Sequence, residues 1–95
     1  MAQTKTTRWD SAKHLETEED MAQYLEACLE ENDPALIAHG LGVIARAKGM
    51  SDLARKTGLT REGLYKALTA NGNPEFATVL KVVYALGLQL HAAPR

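Results

Sequence analysis

The sequence predicts an all-α domain of five helices. Three observations predict it. Apolar residues recur three and four apart in successive short stretches; the stretches are divided by helix punctuation at Asn32-Asp33-Pro34, Gly49, Gly58 and Asn71-Gly72-Asn73-Pro74; and no alternating run is long enough to build a sheet. With 95 residues, one domain is expected. A core is feasible at this size, but such a chain is only marginally stable alone, and self-association would help it.

The elements follow in order. Residues 1–16 read as a flexible N-terminal arm, polar and threonine-rich at its start, with Trp9 as its one large apolar residue and a candidate anchor to the domain or to a partner. A helical domain is expected over residues 17–92. Its first helix starts after Thr17, whose hydroxyl suits an N-cap, and Glu18, Glu19 and Asp20 suit the positive end of the helix dipole. Met21, Tyr24, Leu25, Cys28 and Leu29 form its apolar stripe. Asp33 caps a second helix with Pro34 at its first position; Leu36, Ile37, Leu41, Ile44 and Ala45 face inward, Gly40 and Gly42 permit a close crossing, and Gly49 ends the helix. After two short helices over about residues 51–68, Asn73 is expected to cap a fifth beginning at Pro74, with Phe76, Val79, Leu80, Val83 and Leu86 as its stripe and Gly87 as its stop. Leu88-Gln89-Leu90-His91-Ala92 alternates weakly and reads as a short C-terminal strand that pairs across a dimer, or as a frayed tail.

The two short helices carry the functional signal. Ser51 reads as an N-cap, Leu53 and Ala54 as an inner face, Gly58 as the turn, Leu59 as the plug of the angle, and Thr60 as a second N-cap. Leu64, Ala67 and Leu68 then make a buried stripe. This is the layout of a helix-turn-helix, whose second helix enters the DNA major groove. At about 100° per residue from Leu64, Glu62 and Lys66 point away from the core, flanked by Gly63 and Tyr65, with Arg61 at the helix start. Arg61 suits bidentate contact with guanine, Lys66 suits guanine or phosphate, and Glu62 can accept from a cytosine amine. The same Glu62 and Lys66 are spaced as a solvated intrahelical ion pair. Tyr65 either stacks on the first short helix or bonds a phosphate. Gly63 costs about 1 kcal/mol against alanine, and either admits the DNA backbone or is a tolerated weakness. On the DNA reading, Thr60, Arg61, Glu62 and Lys66 read bases, while Arg55, Lys56, Tyr65 and the free amides at Ser51 position the phosphates.

Charge supports two faces. The net charge of −1 hides a division. Residues 1–35 hold three basic residues against nine acids; residues 36–95 hold eight against three, six of the eight falling between Arg46 and Lys66. Local charge decides attraction to phosphate, and an acidic half beside a basic half suggests two different partners. One cysteine, Cys28, excludes an internal disulfide and reads as a buried thiol. His14, His39 and His91 lack ligand neighbours, the glycines form no phosphate loop, and the consecutive acids Glu18, Glu19 and Asp20 point in different directions. No enzyme, metal or cofactor is expected. Without an apolar span or a signal-peptide pattern, the expected location is the cytoplasm.

Over roughly Leu15 to Leu90 the chain resembles the addiction-module antidote (antitoxin) proteins of the Cro/cI-type helix-turn-helix superfamily. The carriers are Thr17-Glu18-Glu19-Asp20 with Tyr24-Leu25, Asp33-Pro34, Ile44-Ala45-Arg46-Ala47-Lys48-Gly49-Met50, Leu53-Ala54, Thr57-Gly58-Leu59, Leu64-Tyr65-Lys66-Ala67-Leu68, Gly72-Asn73-Pro74, and Thr78-Val79-Leu80-Lys81-Val82-Val83 with Ala85-Leu86-Gly87-Leu88. The resemblance implies a λ-repressor-like domain and a homodimer on a palindromic double-stranded DNA operator. It further implies a co-encoded small toxin of the RelE/ParE type that the protein binds and neutralises, and repression of the shared operon. Two positions depart from the superfamily. Met50-Ser51-Asp52 stands where a phosphate-bonding glutamine is common, and Gly63 stands where serine is common. Since toxins of this type are basic, the acidic stretch Glu16 to Asp33, with Trp9 and with Glu18, Glu19, Glu26 and Glu30 foremost, is the candidate toxin surface; the plain alternative is a solvated acidic helix. Two other functions fit the same residues: a stand-alone phage-type repressor, and a protein-interaction adapter whose helix-turn-helix no longer binds DNA.

Overall fold

The computed structural model describes residues 15–95, so Trp9 and most of the arm lie outside the described residues. Five α-helices are present among them: α1 Glu18–Glu30, α2 Pro34–Lys48, α3 Met50–Thr57, α4 Arg61–Ala67 and α5 Phe76–Ala85. Helix α1 packs on α2, α2 on α3 and α4, and α3 on α4 and α5. One core runs through them, with Leu41, Ile44, Leu53, Leu64, Leu68, Val82 and Leu86 fully buried. Leu15, just ahead of α1, joins the same cluster.

Local chemistry sets most helix ends where the sequence puts them. Thr17 and Asp20 form a capping box: the Asp20 amide donates to Thr17 Oγ1 at 3.1 Å and the Thr17 amide donates to Asp20 Oδ2 at 3.2 Å. Asp33 accepts from the Ala35 amide at 3.0 Å with Pro34 at the first helical position. The close crossing expected at Gly40 and Gly42 is present. A side chain at Gly42 would run into the Leu68 carbonyl, and one at Gly40 would meet Cys28 Sγ at 2.6 Å.

Four local expectations are corrected. Ser51 caps nothing: Gly49, at φ 120° and ψ 111°, ends α2 and starts α3 in a single residue, so α3 begins at the buried Met50 and Ser51 lies inside it. Asn73 is not a cap and Pro74 does not open α5. Gly72 is pressed against the Ala67 carbonyl, the returning chain uses residues up to Glu75, and α5 begins at Phe76. The inner face of α5 is Val79, Val82, Val83 and Leu86, whereas Phe76 and Leu80 face outward, 68% and 44% exposed. Residues 88–95 form no strand in the single chain, which offers no neighbouring strand to pair with; instead Leu88 and Leu90 pack against the core while Gln89 and His91 point out.

Candidate nucleic-acid interface

Helices α3 and α4 are joined by Gly58-Leu59-Thr60. Gly58 takes the left-handed conformation, φ 76°, and its amide closes α3 by donating to the Ala54 carbonyl. Thr60 caps α4, its Oγ1 accepting from the Gly63 amide at 2.9 Å. A side chain on Gly63 would crowd that same Oγ1, which is a local reason for glycine there, separate from any role at DNA. The turn has one further clasp that the sequence reading did not single out. Thr57 Oγ1 donates to the Leu53 carbonyl at 2.8 Å and accepts from the Leu59 amide at 3.2 Å. The signal was a threonine four residues after Leu53 and directly before the turn glycine. Leu59 is half-buried against the core, as a plug between the helices requires.

Buried Leu64 and Leu68 fix which way α4 faces. Arg61, Glu62, Tyr65 and Lys66 are all exposed on its other side. The Arg61 guanidinium lies over the Tyr65 ring, 5.9 Å from its centre, so Tyr65 braces Arg61. On α3, Ser51, Arg55 and Lys56 are exposed. Asp52 sits between the two cations, accepting a hydrogen bond from Arg55 and forming an ion pair with Lys56 Nζ at 3.2 Å. A carboxylate facing DNA repels phosphate; at Asp52 that repulsion is muted by its neighbours, and the two cations spend part of their charge on it. These surface pairs are each worth about 0–1 kcal/mol, so they can exchange for stronger ligands.

The acidic candidates lie on α1. Glu18, Glu19, Glu26 and Glu30 are exposed, and Glu18 pairs with Lys48 at 3.4 Å across to the end of α2. Trp9 lies outside the described residues. Among the described residues, no group of three His, Cys, Asp or Glu side chains is placed to hold a metal, and no helix is long and apolar enough to cross a membrane. Burial pushes the Cys28 thiol above its ordinary range, so at neutral pH it is a protonated core group.

Comparison with known proteins adds a family. A family model described as a probable addiction module antidote protein matches residues 5–94. An uncharacterized protein of Haemophilus influenzae is 54% identical over 81 residues, covering 85% of this chain and 84% of its own length. No solved structure matches the chain.

Proposed function

This chain belongs to the family of probable addiction module antidote proteins, and from that premise we propose that it is a DNA-binding antitoxin: a helix-turn-helix repressor of its own operon that neutralises a RelE/ParE-type toxin. The observation that carries the DNA half is the Thr60-capped α4, which buries Leu64 and Leu68 and turns Arg61, Glu62, Tyr65 and Lys66 to solvent. Thr60, Arg61, Glu62 and Lys66 read bases in this account; Arg55, Lys56, Tyr65 and the first-turn amides at Ser51 hold phosphates. Arg61 arrives already braced by Tyr65, which lowers the ordering cost of a bidentate contact.

The operator is read by a homodimer. Phe76, Leu80 and Tyr84 stand four apart on the outer side of α5, 68%, 44% and 84% exposed. Their order, aromatic–leucine–aromatic, is the same from either end. A second α5 packed antiparallel about a two-fold axis therefore sets Leu80 on its mate and Phe76 beside Tyr84. The acidic α1 face and the basic α3–α4 face would each repel a copy of themselves. A dimer bound to two half-sites one DNA turn apart holds its recognition helices about 34 Å apart.

Gel-shift titration on the DNA upstream of the gene tests this reading. Binding falls steeply with salt, and Arg61→Ala weakens it by about 1–3 kcal/mol. Absence of binding at low salt would overturn the repressor role. It would favour the adapter reading, which one observation supports: Asp52 already engages Arg55 and Lys56. The family match favours a toxin partner over a stand-alone repressor.

A further inference from the structure

The outer side of α1 and the C-terminal tail enclose a groove of about 810 Å³, which shares Leu25, Leu29 and Leu90 with a second hollow of about 340 Å³ under the start of α5. Those three leucines make an apolar floor. Glu19, Glu26 and Glu30, spaced seven and four along one edge of α1, make the rim. None of the three has a cationic partner among the described residues. Among the described residues that line the groove, Arg95, at the far end of the tail, is the one Lys or Arg.

Two of the three rim carboxylates are placed against the interest of their own helix. Glu26 and Glu30 are like charges at i,i+4, which weakens a helix. Glu30 stands in the last turn, at the negative end of the dipole, where α1 has no basic residue. Glu19, by contrast, sits in the favourable first turn. A charge that costs its helix stability and has no cationic partner among the described residues points to a partner beyond them. The apolar floor adds a second requirement. The occupant must bring aliphatic side chains as well as positive charge, which excludes a simple cation and disfavours DNA.

Resting on the antitoxin reading, we propose that this groove is where the toxin docks. Its occupant is a basic amphipathic segment whose apolar side chains fill the space over Leu25, Leu29 and Leu90 and whose Lys or Arg residues meet Glu19, Glu26 and Glu30. Glu18, at the edge of the groove, is engaged by Lys48 at 3.4 Å and is left out of the test. The C-terminal tail, whose Leu88 and Leu90 pack against the core, supplies one wall.

The test uses the full chain and the small protein encoded beside it, with affinity measured by titration calorimetry at low and at physiological salt. The triple variant Glu19→Gln, Glu26→Gln, Glu30→Gln weakens the complex about tenfold or more at low salt and flattens its salt dependence. Leu90→Ser, outside the helices, weakens it several-fold at both salts. Circular dichroism and melting temperature check that both variants fold. If the wild-type pair binds and both variants bind equally well, the groove is wrong and the antitoxin reading survives. If the triple variant instead breaks a homodimer, the occupant is a second copy and the proposal falls. If the wild-type chain does not bind its neighbour at all, the antitoxin reading falls and takes the groove with it.

Discussion

Helix α1 and the α3–α4 pair place their charges by opposite rules. On α3 the acid, Asp52, is in the first turn and the bases, Arg55 and Lys56, are in the last; on α4 Glu62 comes first and Lys66 last. Helix α3 thus complements its dipole, with Asp52 paired within it, and α4 does so at Glu62 and Lys66 but not at Arg61, a cation at its positive end. Helix α1 obeys the rule only at its start. Its last turn holds Glu30 and no base, and Glu26 faces Glu30 at i,i+4. Apart from Arg61, the basic face can be explained by helix stability before any partner is invoked; the acidic end of α1 cannot. Basic clusters in a small domain invite a nucleic-acid reading, yet here the stronger physical pointer to a partner is the charge that works against its own element.

Substitutions that separate the two regions sharpen this contrast, and the largest effect is expected inside the fold. Gly42→Ala drives a methyl group into the Leu68 carbonyl at the end of α4, a buried backbone contact with no flexible side chain to give way. A loss of about 1–3 kcal/mol in urea unfolding is expected, the range for overpacking. Weaker DNA binding goes with it as α4 is displaced from α2. A second effect concerns the helix caps. Thr60→Ala removes the acceptor of the Gly63 amide at the start of α4 and costs about 1 kcal/mol. Thr17→Ala breaks the α1 capping box at similar cost. Only the first is expected to lower DNA affinity beyond its effect on folding, because only Thr60 lies at the end of the helix proposed to read bases. Equal DNA affinities for the two variants, measured well below their melting temperatures, would show that α4 does not carry the contact.

The cap comparison also indicates what was legible in the sequence. Thr17, Asp33, Gly58 and Thr60 act within a few residues of themselves, so their roles could be read from neighbours alone. Ser51 failed as a cap because the burial of Met50, a property of the whole core, lets the helix start one residue before Ser51, behind a glycine at positive φ. Helix α5 failed in a different way. Phe76, Leu80 and Tyr84 repeat as well as Val79, Val83 and Leu86 do, and only packing against α3 selects which stripe faces inward. In the site, the pairing of Asp52 with Arg55 and Lys56 and the stacking of Arg61 on Tyr65 have i,i+3 and i,i+4 spacings that were open to reading. The groove beside α1 was not, since it needs Leu90 brought back from the far end of the chain.

The charge substitutions are smaller and differ in sign between the regions. Asp52→Asn removes a carboxylate from the favourable end of α3 and frees two cations, so thermal stability falls by about 0.5–1 kcal/mol. DNA affinity moves the other way. Arg55 and Lys56 become available to phosphate, and the slope of log affinity against log salt steepens by about 1. A variant that is less stable and binds DNA more weakly would mean that Asp52 orients the cations and does not restrain them.

Glu30→Gln is the smallest change, and it bears most directly on why α1 differs. Removing the charge relieves the repulsion from Glu26 and the conflict with the helix dipole, so stability rises by about 0.2–0.5 kcal/mol. The same substitution takes one carboxylate from the groove rim and weakens the complex with the co-encoded small protein. A surface acid kept only for solubility would leave that complex unchanged, and one that stabilised α1 would lower the melting temperature when removed. A gain in stability with a loss of binding is the one pair of outcomes that a charge retained for an outside partner produces, and chemical denaturation with calorimetry on the single variant reads both.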